Sequence, residues 1–157
     1  MKYICTEDDD SIMFDRYLNY ILPLKEGIPE EFRDLATESR FYDPASSESL
    51  HDARPSKVNI SETVGNQVTN EPSCVSIFME FRGARRMIFL EYSGVTNYCM
   101  KGPDSPTYFD TYHGDLFTHE FRIEKEGEFI HEIAFVTGAS MIIAFKSLRH
   151  WSEEYPE

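Results

Sequence analysis

The sequence predicts an α+β fold: a mostly antiparallel curved sheet, or small sandwich, of six to seven strands with helices at its N-terminal end. Three observations predict it. Apolar residues recur with a helical period up to about residue 50. After Pro55 they alternate with polar ones, as in half-buried strands. The later connections are too short for helical crossovers, so neighbouring strands run antiparallel. A chain of 157 residues, 41% hydrophobic and 14% aromatic, is one domain with its own core. The domain spans 1–157, a helical part (1–54) packing on a β-rich part (55–157).

A short strand at Lys2–Cys5 opens the chain. Asp9 or Asp10 caps a helix running to about Leu22, and Pro23 stops it. Met13, Tyr17, Tyr20 and Ile21 share one face of that helix. Pro29 begins a second helix, with Phe32, Leu35 and Ala36 as its apolar stripe, ending near Arg40. Asp43-Pro44 starts a short third helix over Ala45–Leu50. Val58 and Ile60 mark the first core strand, and Val64–Pro72 is a loop. Val75–Phe81 and Met87–Tyr92 form a hairpin across Arg82-Gly83-Ala84-Arg85, and Val95–Met100 extends its second strand beyond Gly94. Lys101–Pro106 is an exposed loop.

The last third is the most explicit. Leu116–Ile123 and Phe129–Val136 alternate on either side of Lys125-Glu126-Gly127, a three-residue hairpin loop with glycine last. The implied register sets Phe117 against Phe135, His119 against Ile133, Phe121 against His131 and Ile123 against Phe129, with the large apolar residues on one face. Met141–Lys146 is apolar on both sides and therefore central. Ser147–Glu157 reads as a helical turn with Trp151 folded back.

The formal charge is −13, with 28 acids against 15 bases. It is spread: residues 1–54 carry −7 and residues 55–157 carry −6. Such a chain repels phosphate backbones and anionic membranes and suits a basic protein partner. The opening MKYICTEDDD has no apolar core, and no apolar run reaches membrane length, so the expectation is a cytoplasmic protein. Cys5, Cys74 and Cys99 fit no metal spacing and read as reduced, mostly buried thiols. No nucleophile elbow or phosphate loop is present, and Arg82, Arg85 and Arg86 form a basic cluster suited to guarding a sheet edge.

The same register puts Glu120 opposite Glu132 on the polar face, with Arg122 diagonal to Glu132. The preferred reading is a solvated acidic strip that meets a basic partner, with Glu120, Glu132, Asp104, Asp110 and Asp115 as contact residues. Paired carboxylates sharing a proton or a cation are the rival reading. His119 and His131 lie on the apolar face and read as core histidines; no metal or other cofactor is expected. His51, Asp52 and Arg54 form a candidate functional turn, which is also explained as a local cap with an ion pair. Two alternatives stand beside the binding domain. One is a metal-dependent or acid-base enzyme using His51, Asp52, His119 and His131, which requires these groups to converge. The other is a β domain binding a small ligand in an aromatic cavity.

Several strings together resemble a known type of protein. They are Leu50-His51-Asp52-Ala53, Leu90-Glu91-Tyr92-Ser93-Gly94-Val95, and the closing strands Phe121-Arg122-Ile123, Phe129–Phe135 and Ile142–Phe145. Over about residues 50–148 the chain resembles small uncharacterised bacterial proteins with an "LHDA" turn before a β-rich domain. These are similar in character to immunity proteins of polymorphic toxin systems. The resemblance implies a non-enzymatic domain that binds one toxin and blocks it, with no catalytic residues to carry over.

Overall fold

The computed structural model describes every residue except 7–11, 67, 69, 71, 105–111, 126 and 156–157, and describes no side chains at 5, 6, 12 and 13. A two-residue ladder, β1 (Cys5–Thr6) with β2 (Ile12–Met13), opens the chain. Then come α1 (Asp15–Ile21), a 3-10 turn (Leu22–Gly27), α2 (Glu30–Thr37) and a second 3-10 turn (Ser39–Phe41). Eight strands follow: β3 (Arg54–Thr63), β4 (Cys74–Arg82), β5 (Arg86–Ser93), β6 (Asn97–Lys101), β7 (Leu116–Lys125), β8 (Glu128–Phe135), β9 (Ser140–Phe145) and β10 (Ser147–Glu154). They form two four-stranded antiparallel sheets in the orders β10-β5-β4-β3 and β6-β9-β8-β7. The class is α+β and mostly antiparallel, with eight strands in these sheets rather than six or seven. No described helix is long and apolar enough to cross a membrane.

The inward residues of both sheets join one core. Ile77, Met79, Phe81, Leu90, Tyr92 and Leu148 come from the first sheet, and Phe121, Ile133, Met141, Ile143 and Phe145 from the second. Their spacing of two is the alternation visible in the sequence. Phe32 of α2 reaches into the second sheet, its ring 5.7, 5.1 and 5.5 Å from those of Phe121, Phe129 and Phe145. Its stripe partners Leu35 and Ala36 are buried as well. The space that a small ligand would need between the sheets is therefore filled by side chains. Clefts of about 450 and 550 Å³ lie at the surface beside β3, and one of about 430 Å³ beside Met1, Arg122 and Glu132.

Several local expectations change. The first helix begins at Asp15 because Ile12–Met13 is paired as a strand; Asp9 and Asp10 fall outside the described residues. Ala45–Leu50 is a series of turns, with Asp43 Oδ1 accepting the Ala45 N–H at 2.9 Å. The same Asp-Pro signal starts a turn or a helix, and here nothing extends it. Val95–Met100 does not lengthen β5. After Gly94, at a φ of +62°, the chain crosses to the other sheet and β6 pairs with β9.

Ser147–Glu154 is a full edge strand on β5, not a helical turn. Trp151 faces outward, 5.1 Å from the Phe89 ring, and Phe78 lies 6.1 Å from each. Arg149 over Trp151 and Lys57 over Phe78 close the ends of this ladder. Arg86 lies on an inner strand and donates to Ser152 Oγ at 3.0 Å, so it ties β10 on rather than guarding an edge. The two described thiols are less buried than expected, Cys74 half-buried and Cys99 exposed, while the Cys5 side chain lies outside the described ones.

Candidate functional site

The β7–β8 hairpin keeps the expected register through its middle, with His119 opposite Ile133, Glu120 opposite Glu132 and Phe121 opposite His131. A bulge at Phe117 moves Leu116, rather than Phe117, to the position opposite Phe135. What differs is the surroundings of the carboxylates. Glu120 is fully buried. Its oxygens accept the backbone N–H groups of Lys2, Tyr3 and Ile4 at 2.7, 2.9 and 2.9 Å, and Arg122 at 2.6 Å. Glu132 accepts the Met1 amino group and Arg122, both at 2.5 Å.

The strip predicted to face solvent is thus covered by the first four residues. Burial would raise the Glu132 carboxyl, but the Met1 amino group and Arg122 outweigh it and hold it below its ordinary value. Arg122, which the register places diagonal to Glu132, binds and neutralises both carboxylates, but they do not point into water. Glu120 has no surface to offer a partner.

His119 and His131 do meet. Tyr92 Oη lies 2.7 Å from His131 Nδ1, His131 Nε2 lies 3.0 Å from His119 Nδ1, and His119 Nε2 lies 3.4 Å from the Phe41 carbonyl. The carbonyl can only accept, which fixes the proton order for neutral rings. His119 donates to Phe41, His131 donates to His119, and Tyr92 donates to His131. Burial lowers the His119 pKa to about 4. Burial, and then the proximity of His119, pushes His131 well below its ordinary value. All four ring nitrogens are engaged, so none faces a substrate. No group of three or more potential metal ligands exists among the described residues.

The LHDA turn is structural in its contacts. Leu50 and Ala53 are buried. Asp52 takes a φ of +63°, a left-handed conformation that aspartate tolerates. This lets Asp52 N–H donate to Leu116 C=O at 2.9 Å while Leu116 N–H donates to Ala53 C=O at 2.8 Å. His51 Nδ1 lies 3.0 Å from Asp52 Oδ1 but makes no hydrogen bond. His51 and His119 border one seam, which is too narrow for a water molecule. Arg54 pairs with Asp115 at 2.8 Å, and Asp104 is exposed and pairs with Lys101. A side chain at Gly138 would collide with Asp104, so that residue also anchors a turn. Asp110 lies outside the described residues.

Exposed acids without an ion pair among the described residues include Glu62, Glu124 and Glu153 on the strands and a group at the helical corner, which the sequence reading did not single out. Leu22 and Leu24, in the 3-10 turn between α1 and α2, are 48% and 38% exposed, with exposed Pro23 between them. Pro23 fixes the turn, and the alternation puts neither leucine on the buried stripe. Glu26, Glu30 and Glu31 are exposed close by in the chain, and none has an ion-pair partner among the described residues. Arg33 is half-buried, its Nε donating to the Ile28 carbonyl at 3.0 Å. By sequence, residues 7–34 carry nine acids and three bases, nearly half of the net charge. The legible signal was an apolar pair, Leu22 and Leu24, off the helical period beside an acidic run.

No family model matches this chain, and no curated protein matches it.

Proposed function

We propose that this protein is a non-enzymatic acidic binding domain, and most specifically an immunity-type inhibitor that neutralises a basic toxin domain in the cytoplasm. The observation that carries the reading is the helical corner: exposed Leu22 and Leu24 beside Glu26, Glu30 and Glu31, carboxylates that make no ion pair among the described residues. Interfaces pair an apolar centre with a charged rim. Free carboxylates steer a cationic partner and strengthen encounter at low salt. The histidines supply interior hydrogen bonds in this reading, and Arg122 with the strand carboxylates holds the N-terminal residues. Asp104 and Asp115 are each tied to a neighbouring cation, so they contribute less than the corner.

The experiment is capture of the protein encoded beside this one, followed by titration across ionic strength and by co-expression. The expected result is a salt-weakened complex and protection of cells from that protein. Glu26→Lys/Glu30→Lys/Glu31→Lys should weaken the complex by about 10-fold or more while the fold is retained. A complex indifferent to salt and to these changes, or the absence of protection, overturns the proposal.

A further inference from the structure

The four sheet edges are treated differently. At β7, the Phe121 and Ile123 N–H groups donate to the hydroxyls of Tyr17 and Tyr20 at 3.2 and 3.0 Å. At β10, α2 packs alongside. β6 is only five residues long. β3 is ten residues long, pairs on one side only among the described residues, and is exposed at every position except Pro55 and Val58. Its bulge lies between Pro55 and Lys57; from Val58 to Thr63 its pairing with β4 is uninterrupted. Pro55, the bulge and Lys57 blunt one end, and the rest is a regular, exposed strand edge that no described residue pairs. Ile60, on the core-facing side, is 39% exposed there.

We propose that β3 pairs antiparallel with β3 of a second copy of this chain, with Asn59 facing Asn59 across the two-fold axis. A two-fold axis through a continuous sheet keeps each face on its own side, so only registers centred on a residue are allowed. Centring on Asn59 sets Val58 against Ile60 of the other copy, twice, on the core-facing side. It sets Lys57 against Ser61 on the outer side, and no like charges oppose. Centring on Ile60 would set Val58 against Glu62. Centring on Ser61 would set Ile60 against Glu62. The Asn59 register therefore joins apolar to apolar and gives the exposed Ile60 a neighbour. The contact spans one strand edge, so it belongs to the small, weak class of interfaces.

The test uses the full chain. Sedimentation over about 1 μM to 1 mM should show the mass rising from 18.3 kDa toward twice that value. Ile60→Lys should restore the monomer with an unchanged circular dichroism spectrum. A second measurement reads the register in a background with Cys5, Cys74 and Cys99 replaced by serine. Directly opposed positions lie about 4.5–5.5 Å apart, within disulfide reach, whereas diagonal ones lie about 7–8 Å apart. Asn59→Cys should therefore cross-link to its copy under mild oxidation, and Ile60→Cys should not. A monomer at every concentration, a dimer unaffected by Ile60→Lys, or Ile60→Cys linking as fast as Asn59→Cys overturns the proposal.

Discussion

Two groups of glutamates in this molecule have opposite fates. Glu120 and Glu132 face each other on neighbouring strands, and their charges are met by three backbone N–H groups, Arg122 and the Met1 amino group. Glu26, Glu30 and Glu31 stand in water beside two exposed leucines without an ion pair among the described residues. A carboxylate buried with donors holds structure together, and removing it leaves those donors unmet. A carboxylate left in water adds nothing to stability but projects a field. The proposed function rests on the second group, whose charges have no ion pair among the described residues.

The largest expected effect is on the buried side. Glu120→Ala leaves the N–H groups of Lys2, Tyr3 and Ile4 without an acceptor and Arg122 with Glu132 alone, and should cost about 3–5 kcal/mol in chemical denaturation. Next is acid sensitivity. Unfolded histidines take up a proton near pH 6.5, but folded His119 resists until about pH 4, and buried His131 is held well below its ordinary value too. Stability should therefore be full above about pH 6.5 and fall as the pH drops toward 4, by about 3 kcal/mol for His119 alone. Denaturation midpoints measured across that range check this, and a flat profile would contradict the neutral pair. Tyr92→Phe removes the donor to His131 Nδ1 and should cost about 1–3 kcal/mol. The smallest effect is at the corner. Glu26→Lys should move stability by no more than about 0.5 kcal/mol, because that exposed carboxylate makes no ion pair among the described residues and lies outside the first turn of α2.

How far the sequence reached follows the same division. The β7–β8 register was legible because alternation fixes which face is buried, and it correctly set Glu120 against Glu132 and Phe121 against His131. The burial of Glu120 was not legible, because its donors lie at residues 2–4, more than a hundred positions away. Sheet membership was hidden for a related reason: nothing local to Asn97–Lys101 says that it pairs with β9 rather than continuing β5. For β10 a signal existed, since Leu148 and His150 alternate with Arg149 and Trp151, but the density of charge masked it. The corner was missed because the acidic contact residues were sought on and beside the β7–β8 hairpin. Leu22 and Leu24 stand out only once the buried stripe of each helix is known.

The most direct test of the central claim is the affinity of the adjoining gene's product for this protein, measured against salt for the natural chain and for Glu26→Lys/Glu30→Lys/Glu31→Lys. The account predicts affinity that falls as salt rises for the natural chain, with both the affinity and the salt slope reduced in the variant. Equal affinities and equal slopes for the two would contradict it.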